Sequence, residues 1–180
     1  IMIAEYTINH KKTHSQTLLP MIDEIVKMAE INLDDVDAIA VSGGPGSFTG
    51  LRIGSATAKG LGLVWNKSLI HVPTVDAMAY NLYGTDKIIC PIMDARRNQT
   101  YTGIYEFNCE NLNVLMEQCA ISIDELVNKL NEMDRQVIFV GDGIPVFKTF
   151  IDENLGREHF YAPAHMNRQR AGAVAVLGCK

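Results

Sequence analysis

The chain has 180 residues, 47% of them hydrophobic, and carries 16 basic against 21 acidic side chains for a net charge of −5. That length suits one domain of ordinary size or two small lobes with a real core, and no run approaches the ~18 apolar residues of a membrane span. The acidic balance points away from a protein that grips nucleic acid alone through a basic face, because Lys11-Lys12, Arg96-Arg97 and Arg168/Arg170 are small, separate clusters.

In chain order, IMIAEYTI at the start reads as a strand, rich in β-branched and aromatic residues. THSQ, Thr13 to Gln16, has the form of a capping box. After it Leu18, Ile22, Ile25 and Ala29 recur at helical spacing, with Pro20 expected to kink the helix or to confine its start. Asp37 to Ser42 reads as a short buried strand that runs into GGPGSFTG, Gly43 to Gly50. A small-residue helix follows from Leu51 to Trp65, then a strand in SLIHVP and a short helix from Val75 to Tyr83.

The order restarts near Lys87. KIICPIMDAR reads as a strand, and QTYTGIYEF alternates so that Tyr101, Gly103, Tyr105 and Phe107 share one face. The Arg97-Asn98 turn between them predicts an antiparallel hairpin. NVLMEQCAI is a third strand, and Ser122 caps a helix holding Leu126, Val127 and Leu130. QVIFV ends in GDG, Gly141 to Gly143, ahead of a helix around Val146 to Ile151, and Arg170 to Lys180 is helical in pattern. The four cysteines, at 90, 109, 119 and 179, form no CxxC pair. This argues against a zinc site or disulfide framework and fits a reducing cytoplasm; Cys90 reads as a small core residue.

The second half reads β-β-β-α-β-glycine loop-α, and the first reads β-α-β-glycine loop-α-β. If the halves are repeats, the first lacks its two opening strands, which are expected ahead of Ile1. A three-strand meander followed by αβα is a ribonuclease H-like unit, and two such units make the α/β, actin-like (ASKHA) architecture. The expected lobes are 1–85, with the 170–180 helix packing back on it, and 86–169.

Two features of the first half invite function. Gly43, Gly44, Gly46, Ser47, Thr49 and Arg52 form a candidate anion or nucleotide loop at a helix start. The pattern is neither a P-loop, because Leu51-Arg52 stands where Lys-Ser/Thr would be, nor GxGxxG. The competing reading is a tight turn with Ser47 or Thr49 as the helix cap. Further on, Gly50, Gly54, Ala58 and Gly62 repeat every fourth residue. Such a stripe lowers helix propensity by up to about 1 kcal/mol per glycine, so close packing must offset it. That packing is either helix on sheet within the chain or helix on helix with a partner, where Leu18, Leu19, Ile22 and Ile25 would join the surface.

The chain resembles the TsaB (YeaZ) family in HSQTLLP (His14 to Pro20), AVSGGPGSFTGLRIG (Ala40 to Gly54) with Ala58-Lys59, MDARRNQTYTGIY (Met93 to Tyr105) and APAHMNRQRAGAVA (Ala162 to Ala175). The resemblance implies an actin-like fold of two ribonuclease H-like lobes and a non-catalytic subunit. Such a subunit pairs through N-terminal-lobe helices with TsaD, its catalytic paralogue, to make N6-threonylcarbamoyladenosine at position 37 of tRNAs that read codons starting with A. It implies the ATPase TsaE as a further partner through the complex, tRNA held only through the complex, a homodimer when alone, no cofactor of its own and no membrane. The catalytic paralogue holds a metal with an HxxxH pair; here His71 is followed four residues on by Val75, so no metal is expected. His10 and His14 also form HxxxH, with no third ligand nearby in sequence. A peptidase reading fails because GPGSFTG is not GxSxG and nothing marks a base for Ser47. Asp94 and Asp142 are candidates for cleft acids, or are turn residues. The alternative reading is an independent actin-like ATPase or transferase.

Overall fold

A computed structural model describes residues 1–9 and 14–180. The candidate pair His10/His14 and the Thr13–Gln16 cap therefore lie outside the described residues, as do the side chains at 14 and 15. In chain order the elements are α1 (His14–Met28), a 3-10 turn (Leu33–Asp35), β1 (Ala38–Ser42), α2 (Phe48–Trp65), β2 (Ser68–Val72), α3 (Thr74–Tyr80), β3 (Ile88–Asp94), β4 (Gln99–Asn108), β5 (Asn111–Ser122), α4 (Ile123–Glu132), β6 (Val137–Val140), α5 (Ile144–Asn154), β7 (His159–Tyr161) and α6 (Ala171–Gly178). The chain separates into two compact units, residues 1–74 with 170–180 and residues 75–169.

In the first unit, β1 and β2 pair in parallel from Ala38↔Ser68 to Ser42↔Val72, with α2 as the crossover. β1 is only half-buried along its length, not the fully buried strand expected, because its sheet has two strands among the described residues. α6 packs on both strands. Gly178 permits this: a Cβ there would come within 2.9 Å of Ala40 Cβ. α1 runs through Pro20, which has no N–H to donate to the carbonyl four residues back. Residues 1–9 are not a strand, contrary to their β-branched composition. A strand needs a ladder partner, and β1 and β2 pair only with each other.

The opening segment is held instead by Glu5. Its carboxylate pairs with the Arg170 guanidinium and accepts the Gly172 N–H at 2.9 Å, which caps α6 where Arg170 offers no side-chain cap. Burial works to raise the Glu5 pKa, but the Arg170 hydrogen bond and charge and the Gly172 and Ala171 N–H groups outweigh it and hold it low. A carboxylate whose folded pKa lies below its unfolded value stabilises above that unfolded value, near 4.3, and loses the contribution as pH falls. Glu5→Gln is therefore expected to lower Tm at pH 7, and its melting curve is expected to converge on the native one below about pH 4.

In the second unit the sheet order is β5-β4-β3-β6-β7, with β3–β4–β5 antiparallel and β3–β6–β7 parallel. β3 is the central strand and is buried from Ile88 to Met93, as its unbroken apolar run requires. Alternation divides it between two cores. Ile88, Cys90 and Ile92 join Leu126, Leu130, Phe139 and Ile151 under α4 and α5, and Ile89 and Met93 join Val75, Met78 and Tyr105. Burial pushes the Cys90 thiol up to about 12, so it is an inert core group. The β3–β4 register runs from Asp94↔Thr100 to Ile92↔Thr102 and resumes at Ile89↔Tyr105. Pro91, which lacks an N–H, falls in that gap. The Tyr105 ring lies over Gly103, where a Cβ would be 2.5 Å from the phenol oxygen. Its hydroxyl donates to Asp76 Oδ1 at 2.7 Å, pinning α3 to the sheet.

Candidate functional site

The glycine loop leaves β1 and turns into α2. Gly43 N–H donates to Val72 O at 2.9 Å, and Gly44 N–H donates to Thr74 Oγ1 at 3.1 Å. Thr74 N–H returns to Gly44 O at 2.8 Å, and the Thr74 hydroxyl also meets Ser42 Oγ at 2.5 Å. Thr74 is thus the residue that closes the loop, and no motif in the sequence marks it. Gly44 is buried with φ +109°, a conformation that needs glycine. Ser47 is the helix cap, accepting the Gly50 N–H at 3.3 Å. Three of the loop's amides, at 43, 44 and 50, are therefore engaged inside the chain. Gly46 and Thr49 complete the turn, and Arg52 lies over the Phe48 ring at 5.5 Å. The loop thus contains the capped turn, with Ser47 as the cap.

α1 packs along α2. Leu18, Ile22 and Ile25 are half-buried, while Leu19 is exposed. The stripe divides. Ala58 and Gly62 are buried within the chain: a Cβ at Gly62 would stand 3.0 Å from Leu69 Cδ2 and Lys67 O. Gly62, expected on a partner surface, instead lets α2 approach Leu69 of β2, and Ala58, expected there too, is buried within the chain, because four-residue spacing marks a face of a helix but not what covers it. Gly50 and Gly54 are half-buried, and a Cβ at Gly54 meets nothing within 4 Å. At about 100° per residue, Arg52, Ala56 and Leu63 lie opposite the stripe, with Phe48 and Val64 to either side of it. Phe48, 74% exposed, opens the helix, and Leu63, 84% exposed, and Val64, 78% exposed, stand at its far end, roughly 22 Å away at 1.5 Å per residue.

The acids and the histidine weighed as candidate site groups each have a local setting. His71 is exposed and lies across Gly43, where a Cβ would be 1.7 Å from its Nε2. Val75, four residues on, is fully buried among apolar side chains. Asp94 Oδ1 accepts the Arg96 N–H at 2.8 Å, the bond of a turn residue. Asp142 sits in the GDG loop with Oδ2 3.9 Å from Arg168 Nη1, and its buried Oδ1 has no hydrogen-bond partner among the described residues. Among the described residues, no three His, Cys, Asp or Glu side chains are grouped to hold a metal, and no helix is long and apolar enough to cross a membrane.

Residues 2–179 match the family model described as TsaD, tRNA N6-adenosine threonylcarbamoyltransferase. The tRNA threonylcarbamoyladenosine biosynthesis protein TsaB of Bacillus subtilis is 33% identical over 177 residues, 98% of this chain and 77% of that protein. The chain belongs to the TsaB (YeaZ) family. The Haemophilus influenzae TsaB is 32% identical over 158 residues, and the match spans 81% of this chain and 65% of that relative's length. A solved Pseudomonas aeruginosa structure described as similar to peptidase YeaZ superposes with a TM-score of 0.76 at 22% identity, covering 93% of this chain and 76% of its own. At that identity the likeness speaks for fold alone. This TsaB-family chain has the expected α/β, actin-like architecture of ribonuclease H-like lobes.

Proposed function

We propose that the chain is a non-catalytic, activating subunit that pairs with a TsaD-type paralogue in forming N6-threonylcarbamoyladenosine at position 37 of tRNAs reading A-starting codons. The exposed apolar side chains of α2, Phe48 at its start and Leu63 and Val64 at its end, form the surface that carries this reading. In water it is a liability, and a partner helix relieves it. Leu19 of α1 and the open Gly54 position extend the surface. The buried valine at 75, where the catalytic paralogue has its second histidine, supports the absence of a metal centre of its own. On this reading the unit formed by 1–74 and 170–180 is the N-terminal lobe and 75–169 the C-terminal lobe. The protein works in the cytoplasm, TsaE acts through the complex, tRNA is engaged only within the complex, and two copies self-associate through the same helix when the paralogue is absent.

The test is a modification assay with tRNA and threonylcarbamoyl-adenylate, run with and without TsaD and the ATPase subunit. Product is expected only when this chain and TsaD are both present. Product from this chain alone would overturn the non-catalytic assignment, and a monomer at micromolar concentration would overturn the self-association.

A further inference from the structure

We propose that the Arg96–Arg97 turn is a docking point for the phosphate backbone of the RNA on which the complex acts; the inference rests on the functional reading above and deepens it. β3 and β4 are joined by three successive non-glycine residues in the left-handed region: Arg96 at φ +70°, Arg97 at +52° and Asn98 at +60°. Gln99 N–H donates to Arg96 O at 3.0 Å, which makes Arg97 and Asn98 the central pair of a type I′ turn. Asn or Gly is the easy choice there, because a larger L residue is penalised at positive φ. This chain places arginine at two of the three positions. Strain of this kind persists where the surroundings over-determine it, and it gathers at functional sites.

The surroundings do over-determine it. Arg96 N–H is held by Asp94 Oδ1 at 2.8 Å, and Ala95 N–H donates to Gln99 O at 3.0 Å. Asn98 O accepts the Ile123 N–H at 3.2 Å, and Asn98 Nδ2 donates to Asp124 Oδ2 at 3.1 Å. The backbone is thus tied to both strands and to the start of α4, while the guanidinium groups stay outside. Arg96 is 88% exposed and only 4.0 Å from Asp94 Oδ2 at its nearest.

Arg97 stands apart from every other arginine of the chain. Arg135, Arg157, Arg168 and Arg170 each face a carboxylate, and Arg52 lies over Phe48. Arg97 has no carboxylate or ring partner among the described residues. The nearby Asp124 is engaged by the Asn98 amide. Two exposed guanidinium forks on a fixed backbone suit phosphate oxygens, which they bind bidentately. RNA is favoured over an acidic protein surface because the relatives of this chain are named for tRNA modification.

The test uses the full chain in complex with its TsaD-type paralogue and titrates unmodified tRNA by fluorescence anisotropy across a salt series. R96A/R97A is expected to weaken binding about tenfold and to lower the salt slope by about one to two, while R96K/R97K restores most of the slope. Arg97→Gly relieves the backbone yet removes the charge, so Tm is expected to hold or rise while affinity still falls; this separates a contact from a structural role. An unchanged Kd and slope in a folded double variant would overturn the proposal. So would loss of pairing with the paralogue at undiminished tRNA affinity, which would give the turn to a protein partner. Failure of the native chain to pair at all would count against the functional reading instead, and the same titration on the chain alone would then decide the turn.

Discussion

Replacing Phe48 and Leu63 together by Asp is expected to weaken pairing with a TsaD-type paralogue at least a hundredfold while leaving Tm within about 2 °C of the native chain. Both side chains are largely exposed in the free chain, and exposed substitutions away from special features change stability by about 0.5 kcal/mol or less. In a desolvated interface core each anchor is worth about 2 kcal/mol, so two lost together exceed the hundredfold threshold. Phe48 opens α2, where an acid is favourable to the helix dipole, so the fold gains a little as binding is lost. Gly54→Leu is the complementary probe. A Cβ there meets nothing within 4 Å inside the chain, so lost pairing by a variant that keeps the native Tm would report a partner's approach. Ala58→Leu is no such probe, because Ala58 is buried and the variant would fail through overpacking. Native-like pairing by the double Asp variant, measured by calorimetry, would remove α2 from the interface.

The largest stability effect is expected at Gly141. It follows β6 with φ +126°, and a Cβ there would lie 2.2 Å from Ile92 O and 2.6 Å from Met78 Cε. The methionine can move, but the carbonyl belongs to the central strand and already accepts the Gly143 N–H at 3.0 Å. Gly141→Ala combines backbone strain with overpacking, each about 1–3 kcal/mol. A total of about 3 kcal/mol corresponds to a Tm loss of roughly 10 °C at this chain length. Gly84→Ala is the control: its φ is +83° and a Cβ there meets nothing within 4 Å, so it isolates the dihedral cost at about 1 kcal/mol. Equal losses in the two variants would show that the Ile92 carbonyl yields after all.

Where the sequence was legible, one local signal sufficed. The unbroken apolar run of β3 located the central strand, and the Ser47 and Ser122 caps appear where their hydroxyls precede helical patterns. The hairpin from Met93 to Tyr105 was legible through its alternation and turn. The illegible parts depend on distant partners. β7 is three residues long and exists because Val137 to Phe139 pair with it. Residues 1–9 have the composition of a strand but no ladder to join. Thr74 closes a loop 30 residues before it, and nothing local announces that. The stripe on α2 showed that close packing occurs, but only the packing of the folded chain decides that Ala58 and Gly62 are buried and Phe48 and Leu63 exposed.

The return of α6 to the β1–β2 sheet bears on how the chain is made. The unit from 75 to 169 is contiguous and can finish folding as it emerges from the ribosome. The other unit cannot: β1, α2 and β2 are made early, yet the helix that covers them comes after the whole of the contiguous unit, a wait on the order of ten seconds at about 5–20 residues per second. Throughout that interval the sheet face beneath α6 is bare, and Glu5 has not met its arginine, 165 residues ahead. A nascent chain stalled before Arg170 is thus a target for chaperones that hold exposed apolar sheet.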